Sequence, residues 1–303
     1  MDLQLVVDNF VKEYNRVSDF ECIAGICEPT PLDEGRPLKS NFVPFVSQDI
    51  RKRVDPSAIL SGVKSIIVIG VGNTISTNPH QEEFDPLAQA ELSSLGAVSD
   101  YHIRVRDALK SLVVYILTLE EFKHKGDFKH KILVDSPTLD ERAFAERAGL
   151  GFFGRNGLII SPRFGTRFNI GLLLTDIPSA TTKHELKQCP DDCRRCIQAC
   201  PTGALRKSGI LNTKRCISYL TQKENLTPEE QALIGNQLYG CDVCQNACPF
   251  NSFYTPVSID PKKWMAMTDD EFATEYGHTS ILWRGASILR RNAQAVYENI
   301  STP

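Results

Sequence analysis

Long apolar runs are missing from this chain of 303 residues. The longest, Ile66 to Val71 and Leu112 to Leu117, fall far short of the roughly 20 residues that cross a bilayer, so no membrane span is expected. The start, Met1-Asp2-Leu3-Gln4, opens with an acid and lacks a basic segment followed by an apolar stretch. That excludes a recognisable secretory signal and leads to the expectation of a reducing, cytoplasmic setting in which thiols stay free for metal. A positive balance is lacking too: 34 Lys and Arg against 37 Asp and Glu give a net charge of −3, with an isoelectric point near 6.1. Such a chain does not carry the field of a protein that coats nucleic acid, and any RNA contact must be local. Candidate patches are Lys123, His124, Lys125, Lys129, His130 and Lys131, and the group Arg284, Arg290 and Arg291. Each also reads as an ordinary solvated face. Before residue 189 cysteine is scarce, with only Cys22 and Cys27, which read as small buried apolar side chains.

The other eight cysteines crowd into a short stretch. Cys189, Cys193, Cys196 and Cys200 are followed by Pro201, and Cys241, Cys244 and Cys248 by Pro249, with Cys216 between the two runs. Closely spaced thiols ending in Cys-Pro are how bacterial ferredoxins hold 4Fe-4S cubanes, the last thiol of each run reaching to the other cluster. Eight thiols therefore suggest two clusters. All-thiolate zinc knuckles and disulfides are the alternatives, and an unbroken run of four thiols followed by a second Cys-Pro run suits crossed cubanes better. Three residues rather than two separate Cys189 from Cys193.

Upstream of the thiols the pattern is mixed. Leu3, Val6, Val7, Phe10, Val11 and Tyr14 form a helical stripe. Gly35 to Asp55 reads as irregular, Ser65 to Val71 as a buried strand, Tyr101 to Leu119 as a long helix, and Ile170 to Thr175 as a further strand. Lys131 to Val134 predicts a strand that delivers Asp135 into a loop before a helix over Leu139 to Ala148, with Thr138 and Glu141 as its capping box. If the sheet is open and α/β, that loop is where ligands bind. Gly149-Leu-Gly-Phe-Phe-Gly154 matches the GxGxxG string of dinucleotide sites, but a helix precedes it and the strand-like Leu158 to Ile160 follows, the reverse of what that site needs. Thr227-Pro-Glu-Glu230 predicts a helix between Cys216 and Cys241. Two helices are expected beyond Pro261, the first capped by Thr268 and Glu271.

The strings VDSPTLDER at 134–142, AGLGFFGRN at 148–156, CRRCIQACPTGAL at 193–205, RCISYL at 215–220 and YGCDVCQNACPFN at 239–251 resemble the epoxyqueuosine reductases. The likeness extends to Lys52-Arg-Val-Asp-Pro56, Asp100-Tyr-His102 and Leu289-Arg-Arg-Asn292. It implies a cobalamin-dependent enzyme with two 4Fe-4S clusters, its core related to that of the reductive dehalogenases, which reduces epoxyqueuosine to queuosine at the tRNA wobble position. By resemblance Asp135 is the proton donor, its carboxyl expected to be raised in pKa by burial beside an apolar corrin. Cys189, Cys193, Cys196 and Cys248 would hold one cluster, and Cys200, Cys216, Cys241 and Cys244 the other. Arg53, Tyr101, Asp135, Asn156, Thr166 and Ser218 would contact the corrin. Asp100-Tyr101-His102 begins a cobalt-ligating DxHxxG motif, but residue 105 is Val where Gly is needed, so His102 reads as a pocket residue and not as a cobalt ligand.

The resemblance also sets the expected organisation. An α/β (α+β) cobalamin-binding domain would span 1–180, a ferredoxin-like double-cluster domain 181–255, and C-terminal helices packing on the core 256–303. Many members continue into a helical-repeat domain that helps hold tRNA, whereas this sequence ends soon after Arg291-Asn292. Contact with the tRNA anticodon loop is then expected to rest on local basic patches. The electron donor is expected to be a protein such as a flavodoxin or ferredoxin, and the chain a monomer. A reductase of a small molecule, or a pure electron-transfer protein, are the competing readings; the latter would need no large N-terminal domain.

Overall fold

The computed structural model describes residues 2–33, 43–73, 90–123, 128–181, 184, 187–207, 210–252 and 254–301. They fall into two compact units, Met1–Thr74 with His102–Cys193, and Ile75–Tyr101 with Arg194–Pro303.

The first unit is built on a four-stranded sheet. Strands β1 (Cys22–Cys27), β2 (Ser65–Gly72), β3 (His130–Val134) and β4 (Phe168–Thr175) lie in the order β1-β2-β4-β3. Every pairing is antiparallel. The sheet is thus α+β, and the rule for ligand sites in open parallel sheets does not govern where Asp135 lies. The side chains of β2 alternate, as a pleated strand requires. Ile67, Ile69 and Val71 enter one core with Leu173, under helices α1 (Leu3–Val17) and α2 (Tyr101–Leu117). Ile66 and Val68 enter the other with Leu172 and Leu174, under α3 (Glu141–Arg147). Both faces are covered, which is why β2 reads as a continuous apolar run. Helix α1 starts where Asp2 accepts hydrogen bonds from the backbone N–H groups of Gln4 and Leu5, and it buries Leu3, Val7 and Phe10 at helical spacing. Cys22 and Cys27 sit at the two ends of β1, fully buried, and burial pushes both thiols up to about 12. They are packing residues.

Within the stretch expected to be irregular, residues up to 42 lie partly outside the described ones, and Ile50–Val54 is a helix capped by Asp49. The glycine string is a β-hairpin: Phe152–Phe153 pairs with Ile159–Ile160. Gly149 has φ +79° after α3, and a Cβ on Gly151 would sit 2.3 Å from the Ile160 carbonyl oxygen. These glycines serve a turn and a close approach, and no dinucleotide site is built from them.

In the second unit, strand Ala90–Leu92 lies between β5 (Gln237–Tyr239), to which it is parallel, and β6 (Val257–Ile259), to which it is antiparallel. One apolar core joins Leu220, Ile234 and Leu238 to Trp264, Phe272, Leu289 and Val296. Those last residues come from α5 (Pro261–Ala266), α6 (Asp269–Tyr276) and α7 (Ala286–Ser301), while α4 (Pro228–Ile234) contributes Ile234. The helices after residue 256 therefore share a core with the thiol-bearing segment, and they do not divide from it at residue 255. Among the described residues they number three, not two: Asp260 caps α5 with Pro261 in its first turn, and the Thr268–Glu271 box opens α6. The fully buried Asn292 ties α7 down, its amide donating to the carbonyls of Thr221 (2.8 Å) and Leu238 (2.9 Å).

The C-terminal arginines are internal anchors. Arg291 donates to the carbonyls of Lys223 and Glu224, Arg290 to that of Met267 and to Asp269, and Arg284 to that of Gln222. All three are half-buried and tied to neighbouring segments, and Arg290 also pairs with Asp269. In the other patch Lys129 and Lys131 are exposed, while His124 and Lys125 lie outside the described residues. Among the described residues no helix is long and apolar enough to cross a membrane.

Candidate active site

Asp135 follows β3 directly, and it is the one described non-glycine residue with positive φ, +48°. Its carboxylate Oδ2 lies 3.4 Å from Nε2 of His102, on the first turn of α2. The Asp135 side chain is 65% exposed, so the chain alone does not bury this carboxyl. The expected desolvation would have to come from what binds over it.

The loop from Asp135 to Asp140 is pinned at several points. Glu141 Oε2 accepts from the Asp135 N–H (3.2 Å), and its Oε1 from the Ser136 N–H (2.9 Å). The Ser47 N–H donates to the Pro137 carbonyl, and the Asp140 N–H to the Arg53 carbonyl. Ser136 and Thr138 hydroxyls are 2.6 Å apart. This arrangement corrects the expected capping box: α3 begins at Glu141, its N-cap is Asp140, which accepts from the Ala143 N–H, and Thr138 is not the cap. Burial raises the Glu141 carboxyl to about 8, and the nearby Asp135 charge pushes the same way against the lowering effect of the two N–H groups. Glu141 is the site residue that sequence reasoning missed. Its signal was present but was assigned to helix capping.

Other predicted corrin contacts in this unit are buried polar groups. Arg53 is 8% exposed, Asn156 6% and Thr166 7%. Burial lowers the Arg53 guanidinium from its ordinary value, with Asp140 opposing. Asn156 Oδ1 accepts from the Leu158 N–H, while its Nδ2 is buried with no hydrogen-bond partner among the described residues. A buried amide donor left open costs free energy unless a bound group satisfies it. A corrin, whose rim carries amide carbonyls, fits that donor, and neutral side chains of this kind suit it. Tyr101 and Ser218 belong to the second unit.

In the second unit Cys200, Cys216, Cys241 and Cys244 come together. Burial leads in raising Cys216, in raising Cys241 to about 12, and in raising Cys244 well above the usual thiol range, and each also feels the charge of neighbouring thiols. Cys200 is lowered: burial acts upward, but N–H groups of Leu205, Ala204 and Thr202 and the Thr202 hydroxyl outweigh it. The Ser218 and Tyr219 N–H groups point at Cys216 and that of Val243 at Cys241. Ser218 is thus placed in the turn that cradles a thiol. Among the described residues no three His, Cys, Asp or Glu side chains gather closely enough to hold a single ion. Four half-buried thiols, three of them met by backbone N–H donors, suit a multi-iron cluster, whose charge would let them ionise together. Cys196 lies within electrostatic reach of Cys244, and Cys248 is buried. Cys189 and Cys193 fall in the first unit. There the three-residue spacer is taken up in a turn, Cys193 N–H to Pro190 carbonyl, with Arg155 donating to the carbonyls of Pro190 and Asp191.

Comparison with known proteins gives a consistent picture. Residues 188–251 match the family model described as "4Fe-4S double cluster binding domain", and residues 53–136 the one described as "Epoxyqueuosine reductase QueG, DUF1730". The chain is 38% identical over 263 residues to the epoxyqueuosine reductase of Staphylococcus aureus (strain NCTC 8325 / PS 47), covering 82% of this chain and 67% of that protein. It superposes on a crystal structure of epoxyqueuosine reductase with an epoxyqueuosine-modified tRNA-Tyr stem loop with a TM-score of 0.83 at 29% identity, over 98% of this chain and 82% of the other. A third relative is the Bacillus subtilis epoxyqueuosine reductase whose catalytic aspartate loop is swung out of the active site. It matches with a TM-score of 0.81 at 29% identity, over 98% of this chain and 82% of that one.

Proposed function

The chain belongs to the epoxyqueuosine reductase family, and from that premise we propose that it reduces epoxyqueuosine to queuosine in tRNA. The reaction consumes two electrons and two protons, removes the epoxide oxygen as water and leaves a carbon-carbon double bond. When bound, the two 4Fe-4S clusters supply single electrons and cobalamin supplies a centre able to act on carbon or oxygen.

The chain's own part is to bind, orient and move protons. Asp135 protonates the departing oxygen from its carboxyl, and His102, 3.4 Å away, steadies that carboxyl and can pass it a proton. Cys200, Cys216, Cys241 and Cys244 hold one cluster. Cys189, Cys193, Cys196 and Cys248 keep the assignment to the other that the family resemblance implies. Arg53, Asn156 and Thr166 would hold the corrin, the open Asn156 amide offering a donor that suits its amide carbonyls, and the resemblance adds Tyr101 and Ser218. The strained, pinned Asp135 beside His102 is the observation that carries this reading. A pure electron-transfer protein has no use for such a group. On this reading the enzyme acts in the cytoplasm as a monomer, with a donor such as a flavodoxin or ferredoxin. The RNA is held by local contacts that weaken steeply with salt.

The test is turnover by purified protein reconstituted with iron and sulfide and supplied with cobalamin and a strong reductant. Conversion of an epoxyqueuosine-containing stem loop to the queuosine form is expected. Failure to bind cobalamin in the visible spectrum would sink the cofactor assignment, and an unchanged stem loop in its presence would sink the substrate.

A further inference from the structure

The Asp135 loop contains a feature that the proton-donor assignment leaves unexplained. Positive φ at a non-glycine residue is sparsely populated and persists only where the surroundings hold it. Here two successive N–H groups, from Asp135 and Ser136, converge on the two oxygens of one carboxylate at 3.2 and 2.9 Å. Successive backbone N–H groups converge in this way when the chain alternates into the left-handed region, forming a small anion-binding concavity. The φ of +48° at Asp135 is thus the conformation that brings both N–H groups onto the Glu141 carboxyl.

Glu141 has no competing duty. Its helix is capped by Asp140, and the two N–H groups of the loop are its hydrogen-bond partners among the described residues. We propose that Glu141 is a positioning residue: its two carboxyl oxygens hold the loop in the conformation that turns the Asp135 carboxyl toward His102, and its loss lets the loop leave. The proposal rests on the reading of Asp135 as proton donor. A relative with its catalytic aspartate loop swung out illustrates that a loop of this kind has a second position to go to.

Glu141→Gln tests it, because the amide offers one acceptor and presents an N–H to the other backbone N–H. With the epoxyqueuosine stem loop, kcat is expected to fall about 10- to 100-fold, as misplacement of a reacting group by about 1 Å can cost. KM should stay within about twofold if RNA binding is untouched. The cluster and cobalamin spectra should not change. Amide hydrogen exchange, read without substrate, should quicken in 134–141 and not in β2 or β4. In an Asp135→Asn background the second substitution should add nothing, since Glu141 acts through Asp135. Wild-type kcat and unchanged exchange in Glu141→Gln would overturn the proposal. So would quickened exchange spread over β2 and β4, or a further loss of kcat in the double variant. If the wild-type protein leaves the RNA unchanged, the substrate assignment fails, while the exchange experiment still decides the role of Glu141.

Discussion

Thr138, Thr227 and Thr268 each stand three residues before a glutamate near the start of a helix, yet the three sites fold differently. At Thr227 and Thr268 the reciprocal box forms, the threonine accepting from the glutamate N–H and the glutamate carboxylate accepting from the threonine N–H at 2.9 and 2.7 Å. At the third site Glu141 turns away to the Asp135 and Ser136 N–H groups, and Thr138 pairs with Ser136. A local motif is realised where nothing competes for its groups. Where a strained loop offers two unsatisfied donors, the carboxylate goes there, and an aspartate takes over the cap. The diverted box marks the site.

The largest expected effect comes from removing what the diverted carboxylate serves. Asp135→Asn should lower turnover by about 10²- to 10⁴-fold, the usual worth of a proton donor. Both cofactor spectra should stay as they are, and retained activity would take Asp135 out of the chemistry. Next is the pH response of Glu141. Its carboxyl is raised in the fold to about 8 from an ordinary 4.5, so the stability linked to it is full below pH 4.5 and is lost as pH rises through about 8. Urea unfolding at pH 5 and pH 9 should show a fall in stability of about 1–3 kcal/mol in the wild-type protein. Glu141→Gln should lack that fall, and an identical pH response in both proteins would remove the burial argument. Third, Thr227→Ala and Thr268→Ala should each destabilise the fold by about 1 kcal/mol, the worth of a formed cap. Smallest is Thr138→Ala, with a stability loss below about 0.5 kcal/mol, within the range of substitutions that remove no cap or core contact. A cost equal to that of Thr227→Ala would mean that Thr138 caps after all.

Much of this molecule was legible in advance, for reasons that differ by element. Thiol spacing is a covalent fact of the chain, so the double-cluster module could be read from it directly. β2, β3, β4 and α2 announce themselves because burial on both faces, or along one stripe, dictates apolar runs of the right length. The hairpin at 152–160 was foreshadowed by the helix and strand flanking the glycines. What failed depended on distant partners. The antiparallel sense of the sheet is set by how strands connect, and β1, with its glycine and two cysteines, carries little strand signal by itself. That Arg284, Arg290 and Arg291 also tie segments together shows only once the carbonyls they bind are in place. The extra helix at Pro261 did have its signal, Asp260 followed by proline. Glu141 had its signal as well, but only the loop conformation shows its carboxyl meeting the Asp135 and Ser136 N–H groups and not a cap.

The most direct measurement of the central claim is nucleoside analysis of tRNA from a strain lacking this protein. Epoxyqueuosine should accumulate and queuosine disappear, and returning the wild-type chain, but not the Asp135→Asn chain, should restore queuosine. Queuosine at its normal level in the deleted strain, with no epoxyqueuosine, would contradict it.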